Sequence, residues 1–117
     1  MSEVKASKAL RDGLFKSFED MVRKAMAPNL PIPQRQALLN RAQELRAQWV
    51  ELEAARFNSE AAAFTAAQTK VLEATTDLRK ATKDLDDAVK IAEKATKVFG
   101  LLDKLLKKAV KFAPVPL

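Results

Sequence analysis

The chain has no cysteine, no histidine and no tyrosine, and it has only two glycines. Without cysteine there is no disulfide bond, no thiolate nucleophile and no cysteine-ligated metal. Without histidine the commonest general base and transition-metal ligand is missing, so the few serines have nothing to activate them. Two isolated glycines cannot build a glycine-rich phosphate loop. These absences predict a protein that is not an enzyme, with no catalytic residues, no cofactor, no metal site and no small-molecule substrate.

Carboxylates are the remaining residue type that could bind a metal ion or act in acid–base catalysis. Asp84 and Asp87 would share a face of a helix, and paired carboxylates can hold a divalent cation or transfer protons. However, Lys80, Lys83 and Lys90 lie three or four residues from them and would neutralise their charge. We therefore interpret this cluster as solvated helix surface with local ion pairs.

Long hydrophobic runs are also missing. No stretch approaches the roughly 20 apolar residues that a transmembrane helix needs. The first residues after Met1 do not resemble a signal peptide. The sequence therefore predicts a soluble or peripheral protein, cytoplasmic unless it is exported by a route that needs no signal peptide.

The residues that dominate the chain are alanine, leucine, lysine, arginine, glutamate and glutamine, which lose the least on entering a helix. Strands would need β-branched and aromatic runs separated by glycine turns. We therefore predict an all-α protein with helical content above about two thirds. The predicted organisation is one helical domain over 1–117, with helices at 3–26, 34–57 and 60–112, a proline-rich connector at 27–33 and an extended tail at 113–117.

Apolar residues recur every seven positions along the second half of the chain, from Val50 to Leu106. Alanines occupy a second position three residues later in the five repeats from Ala67 to Ala95. A large residue at one position and alanine at the other lets two helices approach closely, as in a coiled coil. The predicted helix-packing seam consists of Phe57, Phe64, Ala67, Val71, Ala74, Leu78, Ala81, Leu85, Ala88, Ala95 and Phe99.

A second seven-residue repeat, formed by Leu38, Leu45 and Leu52, is out of phase with the first. The two repeats differ by about 200° around a helix, which supercoil drift cannot explain. A turn at Asn58–Ser59 resolves the conflict, because both residue types favour helix caps. The predicted architecture is an elongated helical hairpin or three-helix bundle with a long C-terminal coiled-coil helix. The alternative is a four-helix bundle in which the last helix is split near 75–77.

Charge is concentrated at the C-terminal end. From Lys94 onward there are six lysines and one acid, Asp103, so this segment supplies +5 of the net charge of +6. A wide apolar face occupies the same segment. Basic amphipathic helices of this kind bind anionic membranes or partner grooves. The candidate partner- or membrane-binding residues are Phe99, Leu102, Lys104, Leu106, Lys107, Lys108, Lys111 and Phe112.

Two functions from different classes follow. The first is a non-enzymatic interaction or assembly subunit that acts through coiled-coil packing with itself or with a partner protein. The alternative is a membrane-active protein, for example a component of a helical pore-forming assembly, in which 98–112 is the membrane element. Nucleic acid is disfavoured as a partner, because arginine is absent after Arg79.

Two residue sets also have purely structural interpretations. The apolar face of 98–112 could be buried against the first helix, on the side chains of Leu10, Phe15, Phe18 and Met21. The single tryptophan, Trp49, lies on an apolar stripe, where packing is the usual role. Exposure of Trp49 would instead make it a candidate anchor for a partner.

Overall fold

Four helices account for most of the chain in the computed structural model, which describes residues 2–84 and 87–114. About three quarters of the described residues are helical, so the prediction of an all-α bundle is confirmed. The helices are α1 (Lys8–Ala25), α2 (Ile32–Ala54), α3 (Ala62–Asp84) and α4 (Ala88–Leu106). Three short strands accompany them: β1 (Glu3–Val4), β2 (Ala55–Asn58) and β3 (Lys111–Phe112).

The helices form two antiparallel hairpins, α1–α2 and α3–α4, that pack side by side. Around the bundle the neighbours are α1 with α2, α2 with α4, α4 with α3, and α3 with α1. Helices α1 and α3 run parallel: the Ser7 N–H donates to Gln68 Oε1 at one end, and Asp20 pairs with Arg79 further along. Consequently α2 and α3 lie diagonally opposite each other, although they are consecutive in the chain.

Strand β2 makes this diagonal connection across one end of the bundle. Four extended residues span about 13 Å, the diagonal of a bundle whose neighbouring axes are roughly 8–10 Å apart. β2 pairs antiparallel with β1 on one side and with β3 on the other. Its Ala55 and Phe57 are fully buried, and the Phe57 ring stacks on that of Phe64 with centroids 4.6 Å apart. We call this the sheet end of the molecule and the opposite end the loop end.

One hydrophobic core runs between the four helices and under the sheet. The bundle measures 52 × 29 × 18 Å along its principal axes, well short of the roughly 80 Å that a single helix over 60–112 would span. The largest side chains that are fully buried are those of Leu10, Leu14, Met21, Leu38, Leu45, Leu52, Phe57, Val71, Leu78, Ile91, Leu102 and Leu105.

The prediction of one long helix over 60–112 is wrong. Two helices occupy this range, as in the four-helix alternative, but α3 runs unbroken through 75–77, so the split was expected too early. Helix α4 begins after Asp87, whose carboxylate accepts the N–H groups of Val89 and Lys90 at 3.0 and 3.3 Å. Asp87 is therefore an N-cap and not a residue of a helix surface.

The ends of the other predicted helices also shift. The first helix starts at Lys8 and not at residue 3, because the Ser7 side chain caps it by accepting the Leu10 N–H at 3.2 Å and because Glu3 and Val4 form β1. The second helix starts two residues early, at Ile32, because Pro33 fits its first turn. It ends at Ala54, where the chain enters β2.

A turn does follow β2 where the two seven-residue repeats change phase. The Asn58 side chain accepts the Glu60 N–H at 3.0 Å, and the Ala61 N–H donates to the Asn58 carbonyl at 3.1 Å. The turn near Asn58–Ser59 is thus found. The strand before it was not expected, since 34–57 was predicted to be helical throughout.

The apolar face of α4 is buried against α2 and α3, not against α1 as the structural interpretation supposed. The predicted extended tail at 113–117 follows a helix that ends earlier than expected, at Leu106, and the Ala113 N–H donates to the Ala54 carbonyl at 2.7 Å. Residues 115–117 of that tail lie outside the described residues.

Candidate partner-binding groove

A groove of about 440 Å³ runs between α3 and α4 near the sheet end. Its floor and most of its α3 side are made of small or apolar side chains, and its lysines lie mainly on the α4 side. We call it the lysine groove. It is lined by Ala63, Ala66, Ala67, Lys70, Leu101, Lys104, Lys107 and Lys108.

Apart from Lys70, the α3 side of the groove comes from a part of the chain that carries no charge. Between Ala61 and Thr69 there is no charged residue, although Ala63 and Ala66 are exposed. Exposed helix faces normally carry charged residues. The first half of α3 therefore presents a neutral, low surface to solvent beside the basic end of α4.

The α4 side comes from one stripe of that helix. Leu101, Lys104 and Lys108 follow each other at steps of three and four residues, so they share a face. The same spacing places Lys97 one turn further toward the loop end, where it lines the neighbouring depression with Lys70 and Leu101. A single helical stripe of α4 thus supplies Leu101 and lysines on both sides of it.

Positive charge in the groove is balanced at only one lysine. The Lys107 Nζ lies 3.2 Å from the Asp103 carboxylate on its own helix. Within the described part of the chain, Lys70, Lys104 and Lys108 have no carboxylate within ion-pairing distance, and no acid lines the groove. Toward the loop end the α3–α4 surface is different, because Asp77 and Asp84 lie beside Lys80 and Lys94.

Two apolar side chains project from the sheet end near the groove. Val110 is 52% exposed and Phe112 is 57% exposed. Lys111, between them, forms an ion pair with Glu3 at 2.7 Å and so ties β3 to β1. Lys111 therefore has a carboxylate partner from another part of the chain, which Lys70, Lys104 and Lys108 lack among the described residues.

The candidate binding residues divide into two groups. Lys104, Lys107 and Lys108 line the groove, and Lys111 and Phe112 are exposed at the sheet end. Leu102 and Leu106, in contrast, are buried in the core, so in this fold neither can contact a membrane or a partner. Phe99 is 36% exposed and points away from the core stripe of α4. Helix α4 also ends at Leu106, so no amphipathic helix extends to residue 112.

Most of the predicted seam is buried, but α4 contributes a different set than expected. The buried seam residues are Phe57, Phe64, Val71, Ala74, Leu78, Ala81, Ala88 and Ala95. Ala67 is half-buried in the groove, and Leu85 lies outside the described residues. In α4 the core side chains beside these alanines include Ile91 and Val98, one position earlier in each repeat than Ala92 and Phe99, whereas Leu105 and Leu106 are both buried.

Trp49 packs against the first hairpin. Its ring lies 5.0 Å from that of Phe15, and the residue is half-buried against the core. The position of Trp49 thus agrees with a role in packing and does not agree with a role as an exposed anchor for a partner.

Other chemistry-bearing groups do not converge on the groove. In residues 2–84 and 87–114 no three acidic side chains come together to form a metal-binding group. A hydrogen bond from Lys8, at 2.9 Å, lowers the pKa of the Asp12 carboxyl, which lies on the surface of α1. No helix in the described part of the chain is apolar over a sufficient length to traverse a bilayer.

The sequence analysis missed Ala63, Ala66, Lys70 and Leu101 as parts of the site. The charge-free run at 61–69 was the signal that could have identified the α3 side. Its meaning depends on knowing that this face is exposed and that α4 returns beside it. Comparison with family models, with curated proteins and with solved structures finds no match to this chain.

Proposed function

We propose that this protein is a non-enzymatic interaction subunit that binds an acidic segment of a partner protein in the lysine groove. The observation that carries the proposal is a concave, apolar floor bordered by four lysines. Three of these lysines have no carboxylate partner among the described residues. Such lysines are balanced only by solvent ions, so a partner that supplies carboxylates gains attraction without first breaking an ion pair.

The energetic scale is that of a specific but moderate interaction. Each exposed lysine–carboxylate pair contributes about 0.2–1 kcal/mol and weakens with salt. Four lysines together therefore account for roughly 1–4 kcal/mol, and burial of the apolar floor supplies the remainder. We therefore expect the lysines to determine the selectivity and the association rate of the complex, and the apolar floor to determine how slowly the partner dissociates.

An anionic membrane is the second candidate, and the exposed Val110 and Phe112 beside Lys108 favour it. Apolar side chains that project from a basic surface can enter the interfacial region of a bilayer while lysines contact acidic headgroups. In that case the sheet end would be the contact surface, and the groove would be incidental.

Photo-crosslinking in the source cell would test the first candidate. A photoreactive residue would replace Ala66 in the groove or, as a control, Ala47, which is exposed on the opposite hairpin. A specific partner should crosslink at position 66 and not at 47. The identified partner would then be produced in pure form and its dissociation constant measured by calorimetry. Detection of the chain crosslinked to itself would identify self-assembly.

Charge variants make the test quantitative. A groove variant would change Lys70, Lys104, Lys107 and Lys108 to Gln, and a control variant would change Lys80, Lys83, Lys90 and Lys94 to Gln. Both remove four charges from the same hairpin, but only the first alters the groove. We expect the groove variant to bind the partner about tenfold more weakly or worse, and the control to change affinity by about twofold at most.

Vesicle co-sedimentation separates the two candidates. Vesicles with phosphatidylserine should retain little protein at moderate salt if the groove binds a protein partner. Strong retention that is lost in a variant with Val110→Ser and Phe112→Ser, but kept in the groove variant, would support the membrane candidate instead. Equal partner affinity of the groove variant and the unmodified chain would contradict the groove as the binding site.

A further inference from the structure

We infer that the occupant of the lysine groove is an amphipathic α-helix with an apolar ridge and acidic residues along only one of its two flanks. This inference rests on the proposed function and specifies the partner class. Its evidence is the shape of the groove floor and the unequal charge of its two sides.

The floor fits a helix because it is concave and its side chains are short. Ala63, Ala66 and Ala67 are spaced by three and four residues, so they lie on one face of α3. Short side chains on one side of a contact leave room for larger side chains from the other helix, with the axes still within the usual 8–10 Å range. A third helix can therefore lie between α3 and α4 with its own larger apolar residues filling the groove.

The same geometry disfavours a bilayer as the occupant. A membrane surface is flat on this scale, and proteins that bind it do so with side chains that project outward. The alanine floor projects less than the lysines around it. A convex ligand can reach this floor, and a flat surface cannot.

Charge around the groove is unequal, which sets the charge pattern of the occupant. On the α4 side, Lys104 and Lys108 follow one another by one turn, and Lys97 extends the row toward the loop end. On the α3 side the rim is neutral from Ala63 to Thr69, carries a positive charge at Lys70, and becomes acidic at Glu73 and Asp77, which line the depression beside Lys97. Acidic residues of the occupant therefore gain attraction along its α4-facing flank and very little along the other.

Selection from a display library would test this pattern. The library would present helices of about 18 residues, or five turns, with a fixed apolar ridge and both flanks randomised. Selection would use the full chain, with counter-selection against the groove variant. We expect enriched sequences to carry Asp or Glu mainly on one flank. The best binder should lose about tenfold or more in affinity on the groove variant and about twofold at most on the control variant.

Cross-linking would identify the flank that faces α4. Because the chain has no cysteine, a single one can be introduced as Lys97→Cys on the α4 side or as Ala63→Cys on the α3 side. A binder with one cysteine in its acidic flank should form a disulfide faster with the first variant. Far-ultraviolet spectra would verify that each variant retains its helical content.

The outcomes separate this inference from the function on which it rests. Acids enriched equally on both flanks, or faster cross-linking to Ala63→Cys, would overturn the asymmetric pattern. Failure to enrich any binder that depends on the groove lysines would overturn the helical occupant. In either event, a natural partner that still requires the groove lysines would leave the proposed function intact, whereas a partner insensitive to them would overturn both.

Discussion

The two hairpins of the bundle are held together in different ways. In the α1–α2 hairpin, polar and aromatic side chains lock the helices at several levels. Near the loop end, Arg35 donates to the carbonyls of Ala25 and Ala27 at 2.8 and 3.1 Å. Toward the sheet end, Arg11 contacts the Glu53 carboxylate at 3.3 Å, and between these levels the rings of Phe15 and Trp49 pack in a tilted arrangement.

The α3–α4 hairpin has no such locks. Among its described residues, no hydrogen bond or ion pair joins α3 to α4. Its contact consists of small and aliphatic residues such as Ala74, Ala81 and Ala95. Small residues allow close approach of two helices but fill little space, and the lysine groove opens where this contact ends at the sheet end. The first hairpin is thus a closed support, and the second carries the open, charged surface.

The largest expected effect tests whether the apolar face of α4 is part of the hydrophobic core or of a binding surface. Leu102 is fully buried, so Leu102→Ala leaves a cavity and should lower the free energy of unfolding by about 2–5 kcal/mol. Phe112→Ala, at an exposed site, should change it by about 0.5 kcal/mol or less. Urea denaturation measures both. If the two substitutions had equal effects, α4 would not be packed as the structure shows.

The next effect concerns the small residues between α3 and α4. Ala88 is 1% exposed, so Ala88→Leu overfills its site and should cost about 1–3 kcal/mol of stability. The matched control is Lys90→Leu, which adds apolar volume at an exposed position two residues away and should have little effect. If the melting temperature of Ala88→Leu stayed constant or rose, the contact between α3 and α4 would not be a close packing of small residues.

Much of the fold could be predicted because it depends on local signals. Helix-forming composition predicted the all-α class, and the prolines at 28, 31 and 33 marked the first connector. The Asn58–Ser59 turn followed from a phase conflict between two repeats. Each of these signals lies within a few residues of the feature it determines.

The sheet end could not be predicted in this way. Strand β2 exists because a diagonal connection must cross the bundle and because segments from both ends of the described chain pair with it. Ala55–Asn58 has no local strand signal strong enough to outweigh the helical pattern around it. Long-range pairing, not propensity, determined its conformation.

The break between α3 and α4 was missed for a different reason. The seven-residue repeat continues across Leu78, Leu85 and Ala92, and this regularity favours one unbroken helix. Asp87 directly before Ala88 was a local N-cap signal that favoured a new helix. In the structure the core stripe of α4 is shifted by one residue, which exposes Phe99 and buries Val98.

Half of the candidate site could be predicted from the sequence, because only that half depends on a local signal. The lysines after residue 94 were visible as a local excess of charge. The α3 side was not, because Ala63 and Lys70 meet α4 only after the hairpin closes. Accordingly, the basic half of the groove was predicted and the neutral half was found in the structure.

A smaller effect tests the locks of the first hairpin. Replacing Arg35 with Gln removes a charged donor from two close carbonyl acceptors, and it should destabilise the protein by about 1–2 kcal/mol. Arg46→Gln is the control, since Arg46 is exposed on the same helix. Both can be measured by thermal unfolding. An equal midpoint for the two variants would mean that the connector is held by its prolines alone and that the hairpins differ less than proposed.

The smallest effect compares the two glycines, one in each hairpin. Both lie inside helices, where alanine is favoured over glycine by about 1 kcal/mol. A Cβ added at Gly100 meets nothing within 4 Å, so Gly100→Ala should realise this gain in full.

A Cβ added at Gly13 would lie 3.4 Å from Thr75 Cγ2, slightly inside the optimum for carbon contacts, because α1 and α3 pack closely there. Gly13→Ala should therefore stabilise the protein by less than Gly100→Ala, or not at all. Calorimetric unfolding of both variants gives the difference directly. A gain at Gly13 equal to that at Gly100 would show that α1 and α3 can separate slightly at no cost, so the closed support would itself be adjustable where the two hairpins meet.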